Sequence, residues 1–135
     1  MSAIPSIGDV MTPSPLYLDM RHSVREAQEL MAERHIRHLP ITDQGKPVSI
    51  LTDRDINLAM AATKDLMRAE DLSIEEVCAV QTYMVEEATP LDEVVAFMAE
   101  QHIGSAVITR DGQLAGIFTV TDACRLLSVC LREEL

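Results

Sequence analysis

The chain repeats itself at an interval of 67 residues without a gap. Of the 50 residue pairs from Ser6/Ser73 to Asp55/Asp122, 15 are identical, far more than unrelated segments of this composition share. Such self-similarity is the signature of a duplicated structural unit. The predicted units are residues 6–69 and 73–133. A unit of this size alone is marginal, so we expect the two to pack on each other as one compact module.

Both repeats show the same order of secondary-structure signals. An amphipathic helix follows a short strand, and two further strands joined by a glycine turn come next. A second helix begins near Thr52 or Thr119 and runs to about Met67 or Leu131. The predicted fold class is therefore α/β (α+β), with two βαββα units. The predicted strands are residues 16–18, 39–42 and 47–51, and residues 83–85, 106–109 and 114–118.

Composition excludes several classes of protein. The chain is 47% apolar and 24% charged, which is typical of globular proteins. Its net charge of −11 repels phosphate backbones and anionic lipid, so neither nucleic acid nor a membrane is expected as a partner. The N-terminus lacks the pattern of a signal peptide, and a cytoplasmic location is predicted. Cys78, Cys124 and Cys130 are predicted to be small buried residues in a reducing compartment.

A hydroxyl residue followed three positions later by an acid marks the point where a strand meets the second helix. Thr52 precedes Asp55, and Thr119 precedes Asp122. One interpretation is a capping box, in which the pair only satisfies backbone N–H groups. The other is that the helix N-terminus faces an anionic ligand while the carboxylate accepts hydrogen bonds from ribose hydroxyls. Both can hold at once, and the sequence leaves them open.

The same segments carry a resemblance to a known family. The string Ile36-Arg37-His38-Leu39-Pro40-Ile41, continuing to Thr52-Asp53-Arg54-Asp55, is similar to the CBS (cystathionine-β-synthase) domain. The second copy, from Ile103-Gly104-Ser105 to Asp122, resembles it too, and the two copies span almost the whole chain. The resemblance implies a Bateman module: two βαββα units about a pseudo-twofold axis, with clefts that bind adenosine nucleotides or related adenosyl ligands in many members.

The resemblance also implies which residues bind the ligand. Asp55 and Asp122 would contact ribose, with Thr52 and Thr119 near ribose or phosphate. The segments after the first helix would line base and phosphate, and the strand entries would complete each cleft. The implied ligand-binding residues are Thr12, Ile36, Arg37, His38, Thr52, Arg54, Asp55, Gln81, Thr82, Ile103, Gly104, Ser105, Thr119 and Asp122.

The two repeats depart from the family pattern in different ways. Ser49 stands where the family usually has glycine, so we expect it to crowd the approach of backbone in one cleft. The second repeat lacks the cationic side chains of the first, because Gly104, Ser105 and Thr121 replace Arg37, His38 and Arg54. The cleft that uses Asp55 is therefore predicted to bind anions more strongly. Which cleft Arg37 serves, and whether one, both or neither is occupied, stays open.

The favoured function is a non-catalytic regulatory module that binds an adenosine nucleotide, with no metal and no obligatory cofactor. The alternative is a constitutive interaction module with vestigial clefts. His35 and His102 are repeat partners, which favours a shared structural role over metal binding. A homodimer through the second helix of each unit is expected, because the last helix is apolar on more than one face. The effector protein is not identifiable from sequence.

Overall fold

A computed structural model describes residues 3–62, 71–78 and 82–134 of the chain. They form a mixed α and β fold with two βαββα units, as predicted. In chain order the elements are α1 (Ile7–Val10), β1 (Thr12–Pro13), β2 (Leu18–Asp19), α2 (Val24–Arg34), β3 (His38–Asp43), β4 (Lys46–Thr52), α3 (Asp53–Ala62), α4 (Ile74–Val77), β5 (Met84–Glu86), α5 (Leu91–Gln101), β6 (Ser105–Arg110), β7 (Gln113–Thr119) and α6 (Val120–Glu134).

The chain divides into two compact units whose bounds differ from those of the sequence repeats. One, called here the Thr52 unit, is Pro15–Thr82; the other, the Thr119 unit, combines Met1–Ser14 with Tyr83–Leu135. The repeats thus exchange their leading segments. The reason is burial: Ile7 lies in the core of the Thr119 unit and Ile74 in that of the Thr52 unit, and both are fully buried.

Backbone hydrogen bonds fix each leading turn in its place. The N–H of Ile7 donates to the carbonyl oxygen of Thr89 at 2.7 Å, within the Thr119 unit. In the Thr52 unit the N–H of Ile74 donates to the carbonyl oxygen of His22 at 2.8 Å. Each compact unit therefore takes its first turn from the other repeat.

The Thr52 unit contains a three-stranded sheet in the order β2-β3-β4. Strand β2 runs parallel to β3, and β3 pairs antiparallel with β4 so that His38 lies opposite Thr52. Helices α2 and α3 supply Val24, Met31 and Ile56 to the core of this unit. This arrangement brings the end of α2, the start of β3 and the start of α3 to one end of the sheet.

The Thr119 unit repeats this plan and adds one strand. Its sheet has the order β1-β7-β6-β5, with Ser105 opposite Thr119 and Thr12 opposite Ile117. Phe118 is fully buried at the centre of the core. The added strand β1 belongs to the first repeat in sequence, which is a second consequence of the exchange of leading segments.

The turns and caps follow from particular residues. Helix α2 begins with a capping box, in which the N–H of Glu26 donates to Oγ of Ser23 at 3.1 Å. His35 and His102 both adopt left-handed backbone and end α2 and α5, so the two histidines do share a structural role. In the β3–β4 turn Gln44 and Gly45 both have positive φ, which is the geometry of a tight hairpin turn.

Some sequence-based predictions need correction. The short strands begin later than predicted, at Leu18 and Met84, because their first residues do not pair. The sequence predicts Pro90 at the first helical position of α5, where its missing N–H costs nothing, but it is the N-cap instead. Cys124 and Cys130 are exposed, so their prediction as buried residues was wrong. The predicted continuation of the second helix to Met67 lies outside the described residues. Within those residues, no helix has the length and apolar character needed to cross a bilayer.

Candidate functional site

The Thr52–Asp55 pair forms a closed corner at the junction of β4 and α3. The N–H of Thr52 donates to Oδ2 of Asp55 at 3.0 Å, and the N–H of Asp55 donates to Oγ1 of Thr52 at 3.0 Å. This is the reciprocal geometry of a capping box. It engages only one carboxylate oxygen: within the described part of the chain, Oδ1 of Asp55 accepts no hydrogen bond. The capping interpretation is therefore confirmed, and it leaves an acceptor at the helix N-terminus available.

The matching corner of the Thr119 unit is more completely satisfied. The N–H and the hydroxyl of Thr119 both donate to Oδ2 of Asp122, at 2.8 and 3.0 Å. Nη1 of Arg125 donates to Oδ1 of the same carboxylate at 3.4 Å, one turn further along α6. The position that corresponds to Arg125 in the first repeat is Leu58, which has no hydrogen bond to give. The two acids therefore differ at Oδ1: among the described residues it has no hydrogen bond on Asp55, whereas on Asp122 it accepts one from Arg125.

The structure brings most of the predicted residues of the first repeat to the Thr52 corner. His38 pairs with Thr52 across β3 and β4, and the N–H of Asp53 donates to the carbonyl oxygen of Arg37 at 3.1 Å. In the Thr119 unit the same contacts are repeated, since the N–H of Val120 donates to the carbonyl oxygen of Gly104 at 3.0 Å. Gln81, also predicted to bind ligand, lies outside the described residues.

The two described residues predicted at the strand entries, Thr12 and Thr82, lie in different compact units, as the leading segments do. Thr12 is exposed in β1 of the Thr119 unit, where it pairs with Ile117. Thr82 lies in the Thr52 unit, and its Oγ1 is 3.2 Å from Oγ of Ser49. The Ser49 side chain is almost completely buried in this contact. Instead of crowding an open approach, the serine is part of a packed polar contact beside the Thr52 corner.

Cys78 completes this cluster, and sequence analysis did not assign it to the site. Burial, together with the negative charge of Asp55, raises the pKa of the Cys78 thiol to about 11, although a hydrogen bond with Ser49 opposes the shift. The thiol therefore stays protonated at neutral pH. The repeat alignment indicates this contact. Ser49 corresponds to the smaller Gly116, and Cys78 corresponds to the larger Met11.

A cavity of about 550 Å³ opens in the Thr52 unit between α2 and the start of α3. Ile36 and Arg37 line it, whereas Thr52 and Asp55 do not. Asp53 and Asn57, which sequence analysis did not select, also contribute to its wall. The residues predicted for one ligand thus face two different places. Among the described residues, no group of three or more His, Cys, Asp or Glu side chains could hold a metal ion.

Comparison with known proteins places these observations in a family. The family model described as CBS domain matches residues 7–62 and 64–129. L-aspartate semialdehyde sulfurtransferase of Methanocaldococcus jannaschii is 31% identical over 93% of the chain, but the chain spans only 24% of that enzyme. The uncharacterized protein YlbB of Bacillus subtilis is 30% identical over 86% of the chain, which covers 78% of YlbB.

A solved structure gives the corresponding comparison in three dimensions. The CBS domain pair of protein MJ0100, solved in complex with 5′-methylthioadenosine and S-adenosyl-L-methionine, is similar to this chain with a TM-score of 0.82. The two are 30% identical, and the match covers 93% of this chain and 98% of that one.

Proposed function

The chain belongs to the CBS domain family, and on that premise we propose that it is a non-catalytic regulatory module that binds an adenosine-bearing ligand at the Thr52–Asp55 corner. The observation that carries the proposal is the state of Asp55. Its Oδ2 closes the capping box, and its Oδ1 has no partner within the described residues. A carboxylate in this position accepts hydrogen bonds from the vicinal hydroxyls of a ribose.

The surroundings of Asp55 suit the rest of such a ligand. Arg54 is exposed on the first turn of α3, and the N-terminus of that ten-residue helix favours negative charge. His38 lies opposite Thr52 on the neighbouring strand. We assign these groups to the phosphate or other polar substituent of the ligand. The related MJ0100 pair, which binds two adenosyl compounds, supports adenosine as the common part.

The Thr119–Asp122 corner is the weaker of the two sites in this proposal. Arg125 occupies the second oxygen of Asp122, and Gly104, Ser105 and Thr121 supply no cation. A ligand there competes with Arg125 for the second carboxylate oxygen, which weakens ribose binding. We therefore propose one strong site per chain, at Asp55.

Thermal unfolding in the presence of 5′-methylthioadenosine, S-adenosyl-L-methionine, AMP, ADP and ATP tests this function. A ligand present at a hundred times its dissociation constant stabilises the folded state by about 2.7 kcal/mol. We expect at least one of the five to raise the midpoint, Asp55→Asn to abolish the shift, and the matched Asp122→Asn to leave most of it. If no compound raises the midpoint, or if Asp55→Asn responds like the unmodified chain, the proposal is wrong.

We also propose that two copies associate through the second helices. On α6 an apolar stripe with helical spacing faces solvent, and its large members Val120, Leu127 and Leu131 are 49%, 59% and 50% exposed. Leu58 on α3 is 61% exposed. Covering a stripe of this kind with a second apolar surface is favourable and stabilises the association. Sedimentation at micromolar concentration tests the association, and we expect Leu127→Glu to weaken it. An unmodified chain that sediments as a monomer would contradict the association.

The exposed stripe is also the observation that favours the alternative function, a constitutive interaction module without a ligand. In that case association would persist at full strength in Asp55→Asn, and no adenosine compound would alter it. A regulatory module instead requires the ligand to change the equilibrium between two arrangements. Sedimentation of the unmodified chain with and without the stabilising compound distinguishes the two.

A further inference from the structure

The cavity between α2 and α3 has a wall that the fold does not require. Its floor consists of apolar residues that have apolar partners in the other repeat: Met31 with Met98, Ala32 with Ala99, Ile36 with Ile103, and Ile56 with Ala123. Met31 and Ile56 are buried members of the core. This floor is therefore explained by the shared packing of the two units.

Four polar residues of the wall, in contrast, are present in only one copy, whereas the fifth, His35, is matched by His102. The residues Gln28, Arg37, Asp53 and Asn57 line the cavity of the Thr52 unit. At the corresponding positions the second repeat has Val95, Gly104, Val120 and Cys124. Since the Thr119 unit forms the same helices and strands without any of the four, their amide and charged groups are not needed for folding.

The cavity is separate from the site proposed for the adenosine ligand. Asp53 and Asn57 are four residues apart on α3 and share one face of the helix, whereas Asp55 is two residues from each and points away from that face. Neither Thr52 nor Asp55 lines the cavity. A ligand held between α2 and α3 therefore leaves the Thr52–Asp55 corner accessible.

The charges of the wall define the class of ligand. Asp53 repels a phosphate or any other simple anion, and Arg37 repels a simple cation. Covering both with an apolar helix would leave them desolvated without partners, which is costly. A molecule with both a carboxylate and an ammonium group can pair with Arg37 and with Asp53. The Asn57 amide and the side-chain carbonyl of Gln28, whose Nε2 donates to Sδ of Met60 at 3.4 Å, offer further hydrogen bonds, and the floor receives a hydrocarbon side chain.

We propose that this cavity is a second binding site, for an aliphatic amino acid or a short peptide with free termini. Its volume falls in the range of small-molecule sites, about 300–1,000 Å³, and leaves room for a dipeptide. The site is independent of the adenosine corner, so binding at either can be measured without the other.

Amide chemical shifts of the full chain titrated with L-leucine and with L-leucyl-L-leucine test the proposal. We expect shifts at residues 28–32 of α2 and at Asn57 of α3 with one or both probes, because this part of α2 and Asn57 line the cavity and lie outside the proposed adenosine site. The tighter probe identifies whether a free amino acid or a peptide is preferred. N-acetyl-leucine lacks the ammonium group and leucinamide lacks the carboxylate, so each should bind at least about tenfold more weakly.

Two variants locate the binding within the cavity. Asp53→Asn should weaken the better probe by about tenfold or more, and Gln28→Val, which installs the residue of the other repeat, should weaken it as well. Asp92→Asn is the matched control, because Asp92 is an exposed acid in the first turn of α5. It should leave the affinity within about twofold. The adenosine ligand should bind Asp53→Asn and the unmodified chain with similar affinity.

Four results would overturn the proposal. They are the absence of shifts at millimolar probe, binding of leucinamide or N-acetyl-leucine as tight as that of the better probe, a response of the α2 amides of residues 28–32 to AMP, and a response of those amides to dilution of the protein. The third would make the cavity a nucleotide site, and the fourth would show that a second copy covers it.

Discussion

Met11 lies directly against the bare Cα of Gly116: a Cβ at that position would overlap Sδ of Met11 and lie 2.8 Å from the carbonyl oxygen of Thr12. In the Thr52 unit the corresponding pair is Cys78 and Ser49. Cys78 is smaller than Met11, and Ser49 is larger than Gly116. The loss of glycine at position 49 is therefore compensated at position 78, and the serine does not indicate a damaged site.

Gly116→Ser should destabilise the chain, because the added atoms meet both the Met11 side chain and the Thr12 backbone. Overpacking of this kind costs about 1–3 kcal/mol. Met11→Cys in the same chain should recover part of the loss by restoring the pair found in the other repeat. Urea denaturation measures both changes. Equal stability of Gly116→Ser and the unmodified chain would show that the contact is not packed as described.

The three cysteines should differ in reactivity. The pKa of the Cys78 thiol is raised to about 11, so almost none of it is thiolate at pH 8. Cys124 and Cys130 are exposed on α6. We expect iodoacetamide at pH 8 to modify Cys124 and Cys130 in the native protein and to reach Cys78 only after denaturation. Mass spectrometry of tryptic peptides measures this, and early alkylation of Cys78 would contradict its burial beside Asp55.

Exchanging Arg125 and Leu58 should shift binding between the two corners. Arg125 is 72% exposed, so its pair with Asp122 is a surface ion pair, and such pairs contribute about 0.2–1 kcal/mol. Arg125→Leu should therefore strengthen ligand binding at Asp122 by up to about fivefold, and Leu58→Arg should weaken binding at Asp55 by a similar factor. Calorimetric titration with the stabilising adenosine compound measures both. Unchanged curves for both variants would remove Arg125 as the cause of the asymmetry.

Acid should destabilise the chain through particular carboxylates. The hydrogen bond from His22 lowers the pKa of Glu26, and the hydrogen bond from Arg110 lowers the pKa of Glu87. A carboxyl whose pKa is lower in the folded state stabilises that state above its unfolded pKa. This stabilisation is lost as the pH falls below about 4.5. Glu26→Gln and Glu87→Gln should each flatten the stability curve below that pH; curves that match that of the unmodified chain would contradict this.

The sequence predicts the local structure of the corners better than their assembly. Thr-x-x-Asp at a strand end specifies the capping box at Asp55 and Asp122, because the interaction spans only four residues. The exchange of Ile7 and Ile74 between units cannot be predicted from a local motif. The repeat interval of 67 residues would be the same if each isoleucine entered the core of its own repeat. Such pairing is decided by long-range burial.

The cavity was missed for a related reason. Asp53 and Asn57 are exposed residues of one helix, and only the packing of α2 against α3 reveals that they border an open cavity. The difference between Asp53 and Val120 in the repeat alignment was a usable signal. Exposed Cys124 and Cys130 were misassigned because small apolar residues are usually buried, whereas here they lie on the helix with the exposed stripe.

The most direct test of the proposed function is a double-mutant cycle between Asp55 and the ribose. It compares the affinities of 5′-methylthioadenosine and its 2′-deoxy analogue for the unmodified chain and for Asp55→Asn. A hydrogen bond to a charged group contributes about 1.5–3 kcal/mol, so the unmodified chain should prefer the ribose form by roughly tenfold or more. Asp55→Asn should lose that preference. If the unmodified chain binds both forms equally, or if the preference survives in Asp55→Asn, Asp55 does not hold the ribose.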